Sequence, residues 1–252
     1  MKIAIILNGI SNKKKFFYQS LLPSLKAKFQ VSVFETAHAT HAYELAEMVS
    51  SDHNAIIAAG GDGTLHQCLN GAMRASGRGQ LPTIGIIPLG TGNDFARLFG
   101  IKADADQLVN LFQRKPLAID VGWISCVDSR GNATGRYFIN VCSLGMGPEV
   151  VRRLQGDNRR LGPGITYLKA IVKTFFTHEP ELVQVAGEGW EWKGKARVVA
   201  VANGKTFGNG LCVAPESSVD DSLFETFIAG ELPLLRFLFY LQKDCLLYGH
   251  CI

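Results

Sequence analysis

A glycine-rich turn between an apolar strand and a helix constrains the fold of this chain more than any other feature. Its residues are Gly60-Gly61-Asp62-Gly63-Thr64. The apolar run 55–59 precedes the turn, and a helical pattern begins at Leu65. Glycines let the main chain approach a ligand closely, and the N-terminus of the following helix offers unpaired N–H groups and a positive dipole end. The pattern therefore predicts a phosphate-binding strand–turn–helix unit.

Asp62 is the unusual residue of this turn. A carboxylate inside a phosphate cradle repels the ligand unless it holds Mg²⁺ or takes a proton. The turn therefore indicates nucleotide and metal chemistry rather than simple anion binding.

A second motif, Pro88–Ala96, also lies where a strand gives way to a helix. Ligands of open α/β sheets collect at the carboxyl ends of the strands. If the third and fourth strands are neighbours, Asp62 and Asp94 lie at one edge of the sheet and form a metal–phosphate arrangement. The alternative is that Asn93 or Asp94 only caps the following helix.

The order of predicted elements divides the chain near residue 117. Residues 1–117 alternate strands with helices, and continuous apolar strands between helices predict an α/β domain whose parallel sheet is covered on both faces. Residues 118–252 predict a β-rich, antiparallel, sandwich-like domain that is incomplete at its C-terminus. Arg136–Val141 is one of its predicted strands. The helix Ile165–Phe176 interrupts the strands, and the apolar segment Leu232–Tyr248 predicts a last helix.

Composition narrows the class of protein. The chain has 252 residues, 47% of them hydrophobic, and a net charge of +4, too small to indicate nucleic-acid binding. The six cysteines form no CxxC pair, which favours free thiols in a reducing compartment. The first apolar run, 3–7, is too short for a signal peptide, and no apolar run in the sequence reaches the length of a membrane span. We therefore predict a cytoplasmic protein, peripheral at the inner membrane face at most; the sequence allows a homodimer.

The order of motifs along the chain resembles the diacylglycerol kinase catalytic family, which includes bacterial lipid kinases and sphingosine kinases. Gly60–Thr64 alone is shared with NAD kinases and phosphofructokinases, but the full order is more specific, and Pro88–Ala96 argues against an NAD or sugar kinase. The other matching segments are Thr36 with His41-Ala42, Asn70-Gly71, Asn140–Gly147, Asn203-Gly204, Gly208-Asn209-Gly210 and Ala214-Pro215 with Asp220–Phe224.

The resemblance implies a lipid kinase that uses ATP and Mg²⁺ and acts on diacylglycerol or a related lipid at a membrane surface. Asp62 and Asp94 are the implied catalytic residues, since they would position Mg²⁺ and organise the phosphates. Ser218, Asp221 and Leu223 match a second-domain Mg²⁺ site. The implied nucleotide-binding residues are Asn8, Thr36, Gly60, Gly61, Asp62, Gly63, Thr64, Leu65, His66 and Thr91.

Three positions depart from the family pattern. Gly9 replaces a proline after the first strand, which suggests a less rigid loop. Ser222 replaces a glycine, at a cost of about 1–2 kcal/mol if φ is positive there. The late Asp-Gly-Glu that supplies the family's general base is absent, so the chain resembles a truncated copy. It is then either an inactive nucleotide- or lipid-binding homologue, or an enzyme that relies on Asp62 as its base.

Overall fold

The computed structural model describes residues 1–77, 81–155 and 163–242, and it divides the chain into two compact units, Met1–Phe138 and Ile139–Ile252. This division falls later than the predicted boundary near residue 117. The reason is a hairpin, β5 (Gly122–Val127) with β6 (Ala133–Phe138), which groups with the first unit. The side-chain amide of Asn70 joins this hairpin to α4 (Asp62–Ser76), since it both donates to and accepts from the main chain of Tyr137 at 2.9 Å.

The first unit contains the predicted alternation of strands and helices. Its other strands are β1 (Lys2–Leu7), β2 (Gln30–Glu35), β3 (Ala55–Gly60) and β4 (Thr83–Pro88). Its helices are α1 (Lys14–Phe16), α2 (Leu22–Lys28), α3 (His41–Val49), α4 (Asp62–Ser76), α5 (Asp94–Leu98) and α6 (Ala105–Phe112). A π-helical turn, Phe17–Leu21, joins α1 to α2, so the helical segment after β1 is continuous but not regular.

Strands β1–β4 form one parallel sheet in the order β2-β1-β3-β4. One face carries Ile3, Ile5 and Leu7 of β1, which pack with side chains of α2 and α6 in a single buried cluster. Because side chains alternate across a strand, Ala4 and Ile6 face the opposite side, where α3 contacts β1 and α4 contacts β3. The prediction of a parallel sheet covered on both faces is confirmed.

The second unit is rich in antiparallel strands, as predicted. Strands β7 (Val141–Gly145), β10 (Val198–Ala202) and β13 (Glu225–Ala229) form a three-stranded sheet in the order β13-β10-β7. Two hairpins accompany it, β8 (Glu181–Gly187) with β9 (Trp190–Ala196), and β11 (Thr206–Phe207) with β12 (Leu211–Cys212). The helices are α7 (Met146–Gln155), α8 (Pro163–Thr177) and α9 (Leu234–Gln242).

Several predictions for this region need correction. The strand predicted over Arg136–Val141 is two strands, because β6 ends at Phe138 and β7 begins at Val141. Asn140 lies at the break and donates to the carbonyl of Thr206 at 2.9 Å, a contact far along the chain that local pattern does not reveal. Helix α7 was not predicted. The last predicted helix is described as α9, and residues 243–248 lie outside the described residues.

The cysteine prediction holds for only part of the chain. Cys68, Cys126 and Cys142 are free thiols, and burial raises the pKa of Cys68 to about 12, which keeps its thiol protonated and unreactive. Cys212 is disulfide-bonded, contrary to the expectation, because spacing along a chain does not reveal which thiols meet in space. Among the described helices, none has both the length and the apolar character that a membrane crossing requires.

Candidate active site

The sheet order places a topological switch point at the carboxyl ends of β1 and β3. The chain leaves β1 for β2 on one side and then crosses to β3 on the other, so the strand order reverses between β1 and β3. Ligands of open α/β sheets bind at such a switch point. The first loop, after β1, carries Asn8, and the second, after β3, carries Gly61. The sequence motifs therefore lie where the topology itself predicts a ligand.

The two glycine motifs are in direct main-chain contact. The N–H groups of Leu89 and Gly90 both donate to the carbonyl of Gly60, at 2.9 and 3.1 Å. A Cβ added at Gly90 would lie 2.4 Å from the Cα of Gly61, so no side chain fits between the loops. Asn93 holds the second loop closed, since its side chain accepts from the N–H of Gly90 and donates to its carbonyl. Asn93 itself has φ 55°, a left-handed conformation that asparagine tolerates.

Asp62 joins the two motifs. Its Oδ2 accepts the N–H of Asp94 and its Oδ1 accepts the N–H of Phe95, both at 3.0 Å. These are the first N–H groups of α5, which no helix carbonyl can satisfy. The negative charge is thus directed at the N-terminus of α5, a third arrangement besides the Mg²⁺ and the proton that the sequence suggested. Each oxygen keeps one lone pair, so the carboxylate can still accept a further ligand.

Asp94 is nearly buried, with 4% of its surface exposed, and Arg97 pairs with it at 3.4 Å. The structure therefore brings Asp62 and Asp94 together, as predicted. The relation between them is a main-chain hydrogen bond rather than two carboxylates converging on one point.

The N-terminus of α4 is open. No side chain caps this 15-residue helix, and a Cβ added at Gly63 would meet no atom within 4 Å. The helix dipole, the N–H groups of its first two residues and the free space together suit a phosphate group. Thr64 and Leu65 have buried side chains, and their N–H groups donate to the carbonyl of Gly61 at 3.0 and 3.1 Å, so these two positions shape the turn rather than offer donors to a ligand.

The loop after β1 is held by Thr36. The N–H of Gly9 donates to Thr36 Oγ1 at 3.0 Å, and the N–H of Asn8 donates to the carbonyl of Ala59 at 2.9 Å. A proline at position 9 has no N–H to donate. The departure from the family pattern therefore adds a contact, contrary to the less rigid loop that we expected.

Two further predicted residues flank these loops. Thr91 is exposed on the loop between Gly90 and Asn93. His66 is partly buried on α4, and desolvation together with the nearby positive charge of Arg136 lowers its pKa. The imidazole of His66 is accordingly a neutral group at physiological pH.

A group of potential metal ligands follows β2. His38, His41 and Glu44 offer ligand atoms within 4.8 Å of one another. The two imidazole rings are stacked, however, with centroids 4.6 Å apart and planes 12° from parallel. Ring lone pairs lie in the ring plane, so the lone pairs of stacked rings lie in two nearly parallel planes and do not converge between the rings. Moreover, His41 Nδ1 already accepts the N–H of Ala37 at 2.9 Å. The group is arranged as a hydrogen-bonded stack.

In the second unit, the predicted metal residues share the exposed loop before β13. Asp221 Oδ1 accepts the N–H of Leu223 at 3.0 Å, and the hydroxyl of Ser218 donates to Asp220. Ser222 has φ 64°, which is the positive φ that a glycine at this position would supply freely. A carboxylate with main-chain carbonyls is a set of hard oxygen donors, and it suits Mg²⁺.

The second unit also contains a small, partly open apolar pocket. Its walls come from α7, α8, β10, the β11–β12 hairpin, β13 and α9. Representative lining residues are Tyr167, Ile171, Val198, Phe207, Phe227 and Phe237. Such a pocket accepts a hydrocarbon group rather than a polar one.

Sequence reasoning missed the structural role of two buried asparagines. Asn70 anchors the β5–β6 hairpin, as described above, and Asn203 donates to the carbonyl of Ile139 at 3.0 Å. Both were recognised only as parts of motifs. An asparagine followed by glycine, as in Asn70-Gly71 and Asn203-Gly204, was the available signal. A Cβ added at Gly71 would lie 2.2 Å from the carbonyl oxygen of Tyr43. The glycine therefore allows α3 to pack closely against α4.

Comparison with known proteins agrees with this arrangement. Residues 2–124 match the family described as Diacylglycerol kinase catalytic domain, and residues 140–246 match the YegS C-terminal NAD kinase beta sandwich-like domain. A Bacillus subtilis protein named "Diacylglycerol kinase" is 29% identical over 251 residues, which cover 94% of this chain and 77% of the relative. A Pseudomonas syringae pv. tomato protein named "Probable lipid kinase YegS-like" is 27% identical over 225 residues, with 89% and 70% covered.

A solved structure shares the fold. The crystal structure of a diacylglycerol kinase from Bacillus anthracis superposes with a TM-score of 0.71 at 24% identity, covering 96% of this chain and 78% of that chain. An α/β unit with a parallel sheet followed by an antiparallel, strand-rich unit is thus the fold of these proteins as well.

Proposed function

This chain belongs to the diacylglycerol kinase catalytic domain family of lipid kinases, and we propose that it transfers the γ-phosphate of ATP to a hydroxyl group of diacylglycerol or a related lipid. The observation that carries the proposal is the open N-terminus of α4 at the switch point of the sheet. There the phosphates of ATP meet the positive end of the helix dipole and the N–H groups of Asp62 and Gly63, with Gly63 leaving space for them.

The remaining predicted residues surround this position in the proposal. Asn8 and Thr36 border the nucleotide from the β1 and β2 side, and Thr91 borders it from the second glycine loop. Gly60 and Gly61 set the turn, while Thr64, Leu65 and His66 form the first turns of α4. The side chains of Thr64 and Leu65 support the cradle by packing beneath it.

Magnesium is the proposed metal ion. Asp62 retains a lone pair on each oxygen, and Ser218, Asp221 and Leu223 present oxygen donors on the second-unit loop. Bound Mg²⁺ would neutralise phosphate charge, which is the main requirement of phosphoryl transfer.

In the proposed reaction the acceptor oxygen bonds to the γ-phosphorus while the bond to the bridging oxygen of ADP breaks. The hydroxyl proton passes to a carboxylate. We assign this role to Asp62, because Asp94 is nearly buried and paired with Arg97.

A lipid acceptor is supported by the apolar pocket of the second unit. Its apolar lining suits contact with part of an acyl or sphingoid chain. We further propose that the protein is cytoplasmic and peripheral at the inner face of a membrane, where the lipid is presented to it.

The test is transfer of radiolabelled phosphate from ATP, with Mg²⁺, to diacylglycerol, a sphingoid base or phosphatidylglycerol in detergent micelles. We expect label in one extracted lipid and none without Mg²⁺. ATP binding by calorimetry with no labelled lipid from any acceptor would instead support a non-catalytic nucleotide-binding homologue. No ATP binding at all would overturn the proposed site.

A further inference from the structure

Helix α8 carries apolar side chains on two faces, and only one of them is used in the core. Ala170, Ile171, Thr174 and Phe175 are buried, and the rings of Phe175 and Phe237 lie 5.4 Å apart. On the other face, Phe176 is 73% exposed, Ile165 61% and Leu168 40%. A soluble helix ordinarily has polar residues on that side.

The exposed apolar residues form one stripe. Ile165, Leu168 and Phe176 are separated by three and eight residues, so they lie on one side of a helix with 3.6 residues per turn. Partly buried Val172 continues the stripe between them. We call these four residues the α8 stripe.

Positive charge borders the α8 stripe. Lys169 and Lys173 are both exposed, and their helical positions place them together along one edge of it. Helix α8 contains no acidic residue. The neighbouring α7 contacts α8, and it adds the exposed residues Val151 and Arg152. The single acidic side chain of α7, Glu149, is occupied by ion pairs with Arg152 and Arg153.

We propose that the α8 stripe, with Lys169 and Lys173, docks this protein on an anionic lipid bilayer. Bulky apolar side chains enter the headgroup boundary while lysines keep their ammonium groups at the anionic phosphates. The two lysines favour an anionic surface as the partner, because an uncharged surface would gain nothing from their positive charge. The inference deepens the proposed function, on which it rests for the membrane, because it names the surface that contacts the bilayer and the lipid charge that this surface requires.

The α8 stripe is distinct from the apolar pocket. Tyr167 and Ile171 of α8 line the pocket, whereas Ile165, Leu168 and Phe176 do not. Substitutions in the stripe therefore change bilayer contact without touching the pocket or the glycine loops.

The test is sedimentation of the 252-residue chain with vesicles of phosphatidylcholine containing about 30% phosphatidylglycerol, and with pure phosphatidylcholine, at low and high salt. We expect binding to the anionic vesicles that weakens with salt. Lys169→Gln with Lys173→Gln should weaken it by about fivefold per lysine. Phe176→Ser with Ile165→Ser should weaken it at least tenfold, or about 1.4 kcal/mol.

Matched controls come from the first unit. Lys26→Gln with Lys28→Gln removes two exposed lysines of α2, and Met48→Gln removes an exposed apolar side chain of α3. Both should bind vesicles like the unsubstituted chain. Circular dichroism checks that each variant folds. If the serine variant unfolds, the variant Lys169→Gln with Lys173→Gln still tests the proposal, because both lysines are exposed.

Three outcomes overturn the proposal. They are failure of the unsubstituted chain to bind anionic vesicles, a loss of vesicle binding in the control variants as large as that in the α8 variants, and no loss of vesicle binding in the α8 variants. Light scattering that shows a dimer split by Phe176→Ser would assign the stripe to a second copy of the chain instead. Phosphate transfer in detergent micelles is measured separately, so failure of kinase activity and failure of bilayer binding are distinguishable.

Discussion

The carboxylate of Asp62 accepts the main-chain N–H of Asp94 at 3.0 Å, although the two residues lie 32 positions apart. Its other oxygen accepts the N–H of Phe95, so Asp62 caps α5 from outside that helix. The two glycine motifs are therefore one structural unit. Substitutions at Asp62 will affect both folding and phosphate transfer, and the two effects have to be measured separately.

Asp62→Asn should reduce both stability and transfer. An amide presents one oxygen and one NH₂, so one N–H of α5 would face a donor and lose its acceptor. We expect a loss of about 1–3 kcal/mol in the free energy of unfolding, measured with urea, together with loss of labelled lipid. Asp52→Asn, at an exposed position, serves as the control. Unchanged stability of the Asp62 variant would show that the cap contributes little.

Gly63→Ala and Gly90→Ala should have opposite effects on stability. Position 63 is helical and has open space, so alanine should raise the free energy of unfolding by about 0.5–1 kcal/mol. At position 90, the Cβ of an alanine would lie 2.4 Å from the Cα of Gly61. Alanine there should therefore lower the free energy of unfolding by about 1–3 kcal/mol.

The same pair tests the nucleotide site. Because the proposed phosphate occupies the space beside Gly63, the more stable Gly63→Ala variant should bind ATP at least about tenfold more weakly in calorimetry. Unchanged ATP affinity in this variant would place the phosphates elsewhere.

Gly9→Pro, which introduces the residue found in the family pattern, should destabilise this protein. It removes the N–H that donates to Thr36, and a Cβ at position 9 would lie 2.1 Å from the carbonyl oxygen of Thr36. We expect a loss of more than about 1 kcal/mol in urea unfolding. Thr36→Val should remove the hydrogen bond alone, and Thr36→Ser should retain it. A stable proline variant would contradict the role of this contact.

Ser222→Gly should stabilise the second unit. Ser222 has φ 64°, a conformation that costs a non-glycine residue about 1 kcal/mol or more. Thermal or urea unfolding should show a gain of about that size, whereas Ser222→Ala, which keeps a Cβ, should show none. Loss of stability in the glycine variant would mean that interactions of the serine side chain outweigh the strain.

Stability should fall at acid pH because of His66. Desolvation and Arg136 lower its pKa in the folded state, so the unfolded state binds the proton more readily. The free energy of unfolding is then unaffected by His66 well above its ordinary pKa of 6.5 and decreases as the pH falls through that value. The free energy of unfolding, measured with urea, should change less between about pH 7.5 and about pH 5.5 in His66→Gln than in the unsubstituted chain. An equal difference in both proteins would contradict the assignment.

Much of the first unit was predictable because its signals are local. Apolar runs such as 55–59 mark buried parallel strands, and the helix after Gly63 follows from periodicity alone. The second unit was harder. Helix α7, which directly follows β7, was missed. The break between β6 and β7 depends on a contact of Asn140 far along the chain.

The sequence by itself determined the fold class, the family and the two glycine motifs, because strand and helix periods and motif order are written in consecutive residues. Tertiary structure alone decided what those residues do. It directed the Asp62 carboxylate to α5, gave the N–H of Gly9 a partner in Thr36, and left one apolar face of α8 exposed. Each of these depends on the positions of residues that are distant in the chain, and local patterns carry no information about such distances.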